Sequence, residues 1–431
     1  MKKLWLIKWT IIGFSFIFCL GILVSPAVAK VKLRVVYQPF TIHNQQVKWM
    51  QEWAKKNPDV EIEPVPLAYE LYYPKVSTAI QAPKCEYDIV WHNDDWGMAW
   101  IEFMEPVDDV ENFKSVPRHL WDIFWADEKH PRASAVPFIG TSAGMFYRKD
   151  LIAKPPKTWK EVEAVSLKLM KEGKVKFGYL GGVKYPHAYF TLLASMWSNQ
   201  GDILYPPFER RNDILAKNGW KPFVTDVTMI EVLEFWWDQI HKTKTVPADF
   251  VGYTRTAAMA IFQAGDCAMF GEDALKYGDV NDPAKSKVAG KVGFTSFPYG
   301  PHGKGPLSWD VPWGWGIPKN IPEENKKAAK RVIGYILADE VQLDMWKTTG
   351  GIPVTTHLRE KLFQTDPLFK EFAMATYKAP VLVMSAHYYP AWPQVHSIWN
   401  DYCIKALMGA KKDIKKVMVQ CDEELKRVFK K

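Results

Sequence analysis

Cysteine is scarce, with five in 431 residues. They form no Cys-x-x-Cys pair and no Cys/His spacing of the kind that holds structural zinc. Blocks of one charge sign are missing too. Lys and Arg number 56 against 48 Asp and Glu, a formal charge of +8 spread along the chain, so no basic footprint argues for a nucleic-acid partner. There is no internal repeat and no low-complexity tract, and no Pro/Gly/Ser stretch marks a linker between domains. Hydrolase and phosphate-loop signatures are absent. Ser142 lies in "TSAGM" rather than Gly-x-Ser-x-Gly, and "GGVKYP" near Gly181 lacks the phosphate-loop pattern.

Only one long apolar run occurs, and it lies at the N-terminus. Lys2, Lys3 and Lys8 precede a stretch from Trp9 to Val24, followed by Pro26 and the small-residue triplet Ala27–Val28–Ala29. A spanning helix needs roughly 20 apolar residues. The run is shorter, and a secretory signal (1–29) cleaved after Ala29 is the expectation, with an uncleaved anchor as the alternative. Cys19 follows "FIF" rather than the small residues of a lipid-attachment site. Removing the signal takes three Lys and no acid, leaving +8 − 3 = +5. The expected location is the periplasm. There Cys85, Cys267, Cys403 and Cys421 have three possible pairings, or remain buried thiols.

About 400 residues exceed one ordinary core, and two domains without a linker imply a chain that crosses between them more than once. Strands and helices alternate. Lys32–Gln38, Tyr87–His92 and Ser142–Arg148 read as strands. So do the short runs "CAMF" and "VGFTSF". Val47, Met50 and Ala54 recur at helical spacing before Pro58. Thr158-x-x-Glu161 forms a capping box with Gly173 at the far end, and Thr228-x-x-Glu231 is a candidate second box. Ile414, Val417, Met418, Cys421, Leu425 and Val428 line one face of a terminal helix. The pattern predicts an α/β fold with largely parallel sheets.

Several segments then match a known family in order. "YDIVWHNDDWGMAWIEFMEPVDD" resembles its strand, polar loop and helix, with Glu105 where Gly is usual. "YRKDLIAKPPKTW" is similar to its most specific signature, with Arg148 where Asn is usual. "FQAGDCAMFGEDAL", "FPYGPHGKG", the stretch from "GWGIP" to "GGIPV", and the closing "ALMGAKKDIKKVMVQCDEEL" follow. The chain resembles the extracellular solute-binding proteins of ABC importers, family 1, the group that includes maltose-binding protein. The resemblance implies a two-lobe periplasmic-binding-protein fold with a hinge crossed three times. It implies an N-terminal lobe of 30–139 with 271–316, and a C-terminal lobe of 140–270 with 317–431. It further implies a monomer that captures a small-molecule solute in the cleft and hands it to ABC permease membrane subunits.

Sugar recognition needs flat rings for stacking and planar polar groups for hydroxyls. "WHNDDW" supplies both just past the carboxyl end of a strand, where open α/β sheets bind ligands. Its candidates are Asn93, Asp94, Asp95 and Trp96. Trp91 alternates with Ile89 and is as readily a core residue, and a helix cap is the lesser alternative for Asp95. A second aromatic cluster offers Trp309, Asp310 and Trp313, the last favoured over Trp315 because alternation sends the two rings to opposite sides. Tyr389, Trp392 and Trp399 form a third set, Trp399 falling on the family's stacking position. Glu272 stands where the family has a cleft-edge turn. Trp236 and Trp237 sit mid-helix and read as packing. Asp94 and Asp95 are adjacent, so they diverge rather than face each other as glycosidase carboxylates do. His92 with Asp94 is an i, i+2 pair without further metal ligands. No cofactor and no enzymatic activity are expected, a secreted glycoside-acting enzyme being a distant alternative. A carbohydrate or polyol suits the 20 − 2 = 18 Trp that remain beyond the signal. Trp and Asp together would also hold a cationic amine, which makes a polyamine the alternative ligand.

Overall fold

The computed structural model describes residues 30–430 apart from 122–123, 125–131, 208–216, 311, 379–388 and 390. The segment read as a signal lies outside the described residues. β1 (Val31–Tyr37) pairs in parallel with β2 (Val60–Pro66) and β3 (Ile89–His92). Between β1 and β2 runs the helix Thr41–Lys56, whose Val47 and Met50 are buried. Asn57 and Pro58 end it, as a proline disfavours helical backbone in the residue before it. β4 (Val136–Ile139) closes the chain's first pass through this sheet.

β5 (Ala143–Arg148) then opens a second sheet with β6 (Phe177–Leu180), β7 (Cys267–Asp273) and β8 (Val292–Thr295), in the order β6-β7-β5-β8. β9 (Trp313–Gly316) returns to the first sheet between β3 and β4, giving β2-β1-β3-β9-β4. Two hydrophobic cores correspond to the two sheets.

This pairing corrects the lobe boundaries expected above. Residues 271–310 belong to the second lobe. β8 is hydrogen-bonded to β5, and Ala274, Val280, Phe294 and Trp309 pack in the second core. Residues 317–354 belong mainly to the first lobe, where Ile317, Ile333, Met345 and Val354 are buried, while Trp346 and Ile352 reach across into the second core. The helix Glu323–Ile336 supplies Ile333, and Asp339–Thr349 supplies Met345. Among the described residues, the first lobe is therefore drawn from 30–139 and 313–354, and the second from 140–310 and 355–430. Three segments lie side by side where the chain crosses. The Gly140 amide donates to the Ile352 carbonyl at 2.9 Å, and the Ala143 amide to the Trp309 carbonyl at 3.0 Å.

The sheets are mixed rather than largely parallel. β9 is antiparallel to β3 and β4, and β5 is antiparallel to β7 and β8. The strands on either side of the crossings, β4, β5 and β9, all take part in antiparallel pairs. A strand that arrives through the hinge is free of the βαβ crossover that enforces parallel pairing.

Local signals were obeyed where their partners are local. Thr158 accepts from the Glu161 amide and Glu161 reaches back, a complete capping box, with Gly173 at φ 67 past the helix end. The second candidate box is not formed. Asp226 caps that helix by accepting from the Thr228 amide, and Glu231 instead accepts from Asn199 and contacts His302. Trp236 and Trp237 donate to Ser195 Oγ and the Gly409 carbonyl, as packing residues do. All four described cysteines are buried thiols.

Candidate functional site

The carboxyl ends of β1 and β3 point at the crossings. β9 runs antiparallel, so its first residue, Trp313, reaches the same edge. A cavity of about 370 Å³ opens there, walled from the first lobe by Gln38, Phe40, Trp91, Asn93, Asp94 and Trp313. The second lobe supplies His187, Tyr189, Phe190, Arg255, Asp273 and Trp309. A second chamber of about 480 Å³ shares Phe40, Arg255, Asp273 and Trp313, and adds Met259, Glu272 and Lys276.

Aromatic rings form much of the wall. Trp313 lies nearly parallel to Phe40 at 6.2 Å and edge-on to Trp91 at 5.6 Å. Opposite, Trp309 is sandwiched between Phe190 and Phe297, at 6.0 and 5.0 Å. Among these rings sit buried polar atoms without a partner among the described residues: Gln38 Oε1, Asn93 Oδ1 and Trp91 Nε1. Buried polar groups are nearly always hydrogen-bonded, and each one left alone costs about 1–3 kcal/mol.

Asp94 and Asp95 behave differently despite adjacency. Burial first, then the Asp95 charge, pushes the Asp94 carboxyl well above the usual carboxylate range. Asp95 bridges the lobes. It accepts from Tyr189 Oη and, at 3.1 Å, from Trp392 Nε1, both in the second lobe. Asn93 Nδ2 donates to its other oxygen at 3.1 Å. Arg255 is held by two carboxylates from the end of β7. Its Nε donates to Glu272 Oε2 at 2.8 Å, and its Nη2 to Asp273 Oδ2 at 2.7 Å and to Glu272 Oε1.

Residues 48–371 match the family model for bacterial extracellular solute-binding proteins. The chain belongs to that family. As a solute-binding protein it resembles a probable ABC transporter-binding protein of Deinococcus radiodurans, 25% identical over 218 residues, 48% of each chain. It also resembles the sn-glycerol-3-phosphate-binding periplasmic protein UgpB of Brucella melitensis, 24% identical over 68% of this chain and 65% of that one. The matched stretches thus span about half to two-thirds of these relatives. Among solved structures, maltose-bound MalE3 of T. maritima superposes with a TM-score of 0.76 at 22% identity, covering 91% of this chain and 99% of that one. A solute-binding protein of Agrobacterium vitis S4 with bound D-mannitol gives 0.73 at 19%, covering 92% and 99%. At these identities the likeness establishes the shared two-lobe fold.

Within this solute-binding protein the candidates named from sequence divide. Asn93, Asp94, Asp95, Trp309 and Trp313 line the first chamber, and Glu272 the second. Trp96 does not. It is buried in the first core, stacked on Tyr72 at 5.4 Å, while Trp91 takes the place on the wall expected of Trp96. Trp399 is wholly buried in the second core. Trp392, two helical turns earlier on Trp392–Met408, reaches the cleft edge through its bond to Asp95. Tyr389 points away, donating to the Val428 carbonyl and packing on Trp220 and Phe429. Asp310 is in the hinge, paired with Arg359 at 2.5 Å. Burial alone would raise its carboxyl, but Arg359 and His119 outweigh that and hold it below the usual range.

Sequence reading missed Gln38, Phe40, His187, Tyr189, Arg255 and Asp273. Arg255 carried no local signal: it is the first residue of the helix Arg255–Gln263, and its partners lie 17 and 18 residues on.

Proposed function

We propose that this chain is the periplasmic substrate-binding component of an ABC importer. It closes its two lobes on a carbohydrate or polyol and delivers it, unchanged and as a monomer, to the membrane permease subunits. The observation that carries this reading is the cleft wall. Trp313 and Phe40 present apolar rings to the cavity, and Gln38, Asn93 and Trp91 carry polar atoms lacking a partner among the described residues. A sugar ring or polyol chain has the matching pair of surfaces, C–H faces to stack and hydroxyls that both donate and accept. The maltose-bound and mannitol-bound structures of the same fold support the class of ligand.

The test is a melting-temperature screen of neutral sugars, sugar alcohols and polyamines, followed by calorimetric titration of each hit. A true ligand at a hundredfold excess over Kd should stabilise the protein by about 2.7 kcal/mol, and should be recovered chemically intact after prolonged incubation. A response confined to polyamines would replace the ligand class. Recovery of an altered ligand would replace the binding role with an enzymatic one.

A further inference from the structure

Among the described residues lining the first chamber, Arg255 is the only guanidinium or ammonium group. Such a residue in a small-solute cleft ordinarily reads as an anion clamp. Its surroundings oppose that. Nε and Nη2 are both committed to Glu272 and Asp273, whose side chains are 1% and 3% exposed. Those carboxylates are themselves fixed: Glu272 Oε1 accepts from the Asp273 amide at 2.9 Å, and Asp273 Oδ1 from the Leu275 amide at 3.0 Å. The guanidinium also lies over the Phe190 ring, 4.7 Å from its centre. With Glu272 ionised the three charges sum to −1, and Asp94 and Asp95 stand on the same chamber wall. What remains available on Arg255 is Nη1, which makes no hydrogen bond to the described residues.

We propose that the Arg255–Glu272–Asp273 triad makes this cleft select uncharged polyhydroxyl solutes and reject their phosphate esters, with Arg255 donating through Nη1 to a ligand hydroxyl. A phosphate monoester brings roughly −1.5 to −2 charge. In this cleft it meets a cation already engaged by two carboxylates, so the triad offers it no net positive charge. Bringing like charges together in a partly desolvated site is strongly unfavourable. A hydroxyl meets no such barrier and satisfies the free N–H groups. The inference rests on the solute-binding reading above and refines its ligand class.

The experiment titrates neutral sugars and sugar alcohols, the phosphate esters of the same compounds, and inorganic phosphate alone. The proteins are wild type, Arg255→Gln, and the double variant Glu272→Gln/Asp273→Asn. Wild type should bind a neutral member and disfavour its ester by about a hundredfold, with no saturable response to inorganic phosphate. The double variant should gain a saturable response to inorganic phosphate and narrow the ester penalty by about tenfold or more. Arg255→Gln should weaken the neutral ligand without gaining phosphate. If the double variant does not fold, either single amide variant carries the same test with a smaller change. Wild type binding an ester as tightly as its parent would overturn the proposal, as would a folded amide variant that gains neither response. If no neutral solute binds but the phosphate response appears as expected, the ligand class of the preceding section falls and the charge assignment stands.

Discussion

Trp96 and Trp313 show how differently one residue type serves the same cleft. Trp96 is packed by Tyr72, Tyr73, Trp91 and Trp100, and is 4% exposed. Trp96→Ala should cost about 3–5 kcal/mol of stability, affecting binding secondarily. Trp313 is half-buried on the cavity wall, so Trp313→Ala should leave denaturant melts nearly unchanged. It should weaken ligand binding by roughly 1–2 kcal/mol, 5- to 30-fold in Kd. Titration beside denaturant melts on both variants reads the contrast directly; equal stability losses would place both rings in the core. His43 and His92 give a pH signature. Both are fully buried, and burial lowers them to about 3 and about 4, partly offset by bonds to the Gln38 and Asn93 carbonyls. The unfolded chain takes up protons below about 6.5 while the folded chain does not, so stability falls as pH drops from 7 towards 4. The loss should be about 2 kcal/mol per histidine by pH 5. Glu272, pushed up to about 7 chiefly by burial, acts in the opposite sense between pH 7 and its ordinary 4.5. Urea melts at pH 7 and 5 on wild type and His92→Gln separate the two: the variant should lose less on acidification.

The short loop after β3 acts as more than a set of ligand groups. A four-residue strand delivers its end to the lobe boundary, where a 3₁₀ turn, Asp94–Trp96, turns Asp94 to the cavity wall and Asp95 towards the other lobe. Tyr189, from the turn Ala188–Phe190, and Trp392, at the start of its helix, bond each other at 3.0 Å as well as Asp95. Hydrogen bonds to a charged group contribute about 1.5–3 kcal/mol, enough to shift a hinge equilibrium severalfold. Asp95→Ala should therefore enlarge the radius of gyration of the unliganded protein in small-angle scattering. It should also weaken ligand binding in proportion to the closed population it removes. An unchanged radius with unchanged affinity would show that these bonds do not hold the lobes together.

At the scale of the whole molecule, the three crossings converge on Gly140. A Cβ there would lie 2.2 Å from Arg359 Nη2 and 2.5 Å from Asp310 Oδ1, so a side chain is excluded by the ion pair that ties the second and third crossings. Arg359 Nε also donates to the Pro353 carbonyl at 2.6 Å. Gly140→Ala must spread this cluster, at a cost of about 1–3 kcal/mol. It should lower the melting temperature and alter the scattering change that ligand produces, while a surface Gly→Ala control such as Gly252, where a Cβ meets nothing, does neither.

Much of the fold was legible because its signals are local. Helical periodicity gave Val47 and Met50 their buried face, Thr158 and Glu161 are three residues apart, and the buried face of Ile414–Phe429 recurs at the expected spacing. The polar strand end at Asn93–Asp95 was likewise visible, since a strand's end and its loop are adjacent in sequence. The tertiary structure alone decided which core each later segment joins. A helix such as Glu323–Ile336 shows an apolar stripe that fits either lobe, and only β9 pairing between β3 and β4 sends it to the first. It also decided which tryptophans face the cleft, because an aromatic ring on a core face and one on a cavity wall leave the same pattern. Arg255 is the clearest case. Its charge is offset by Glu272 and Asp273, and the packing of the helix Arg255–Gln263 against β7 brings them together. Periodicity within either element carries no record of that contact.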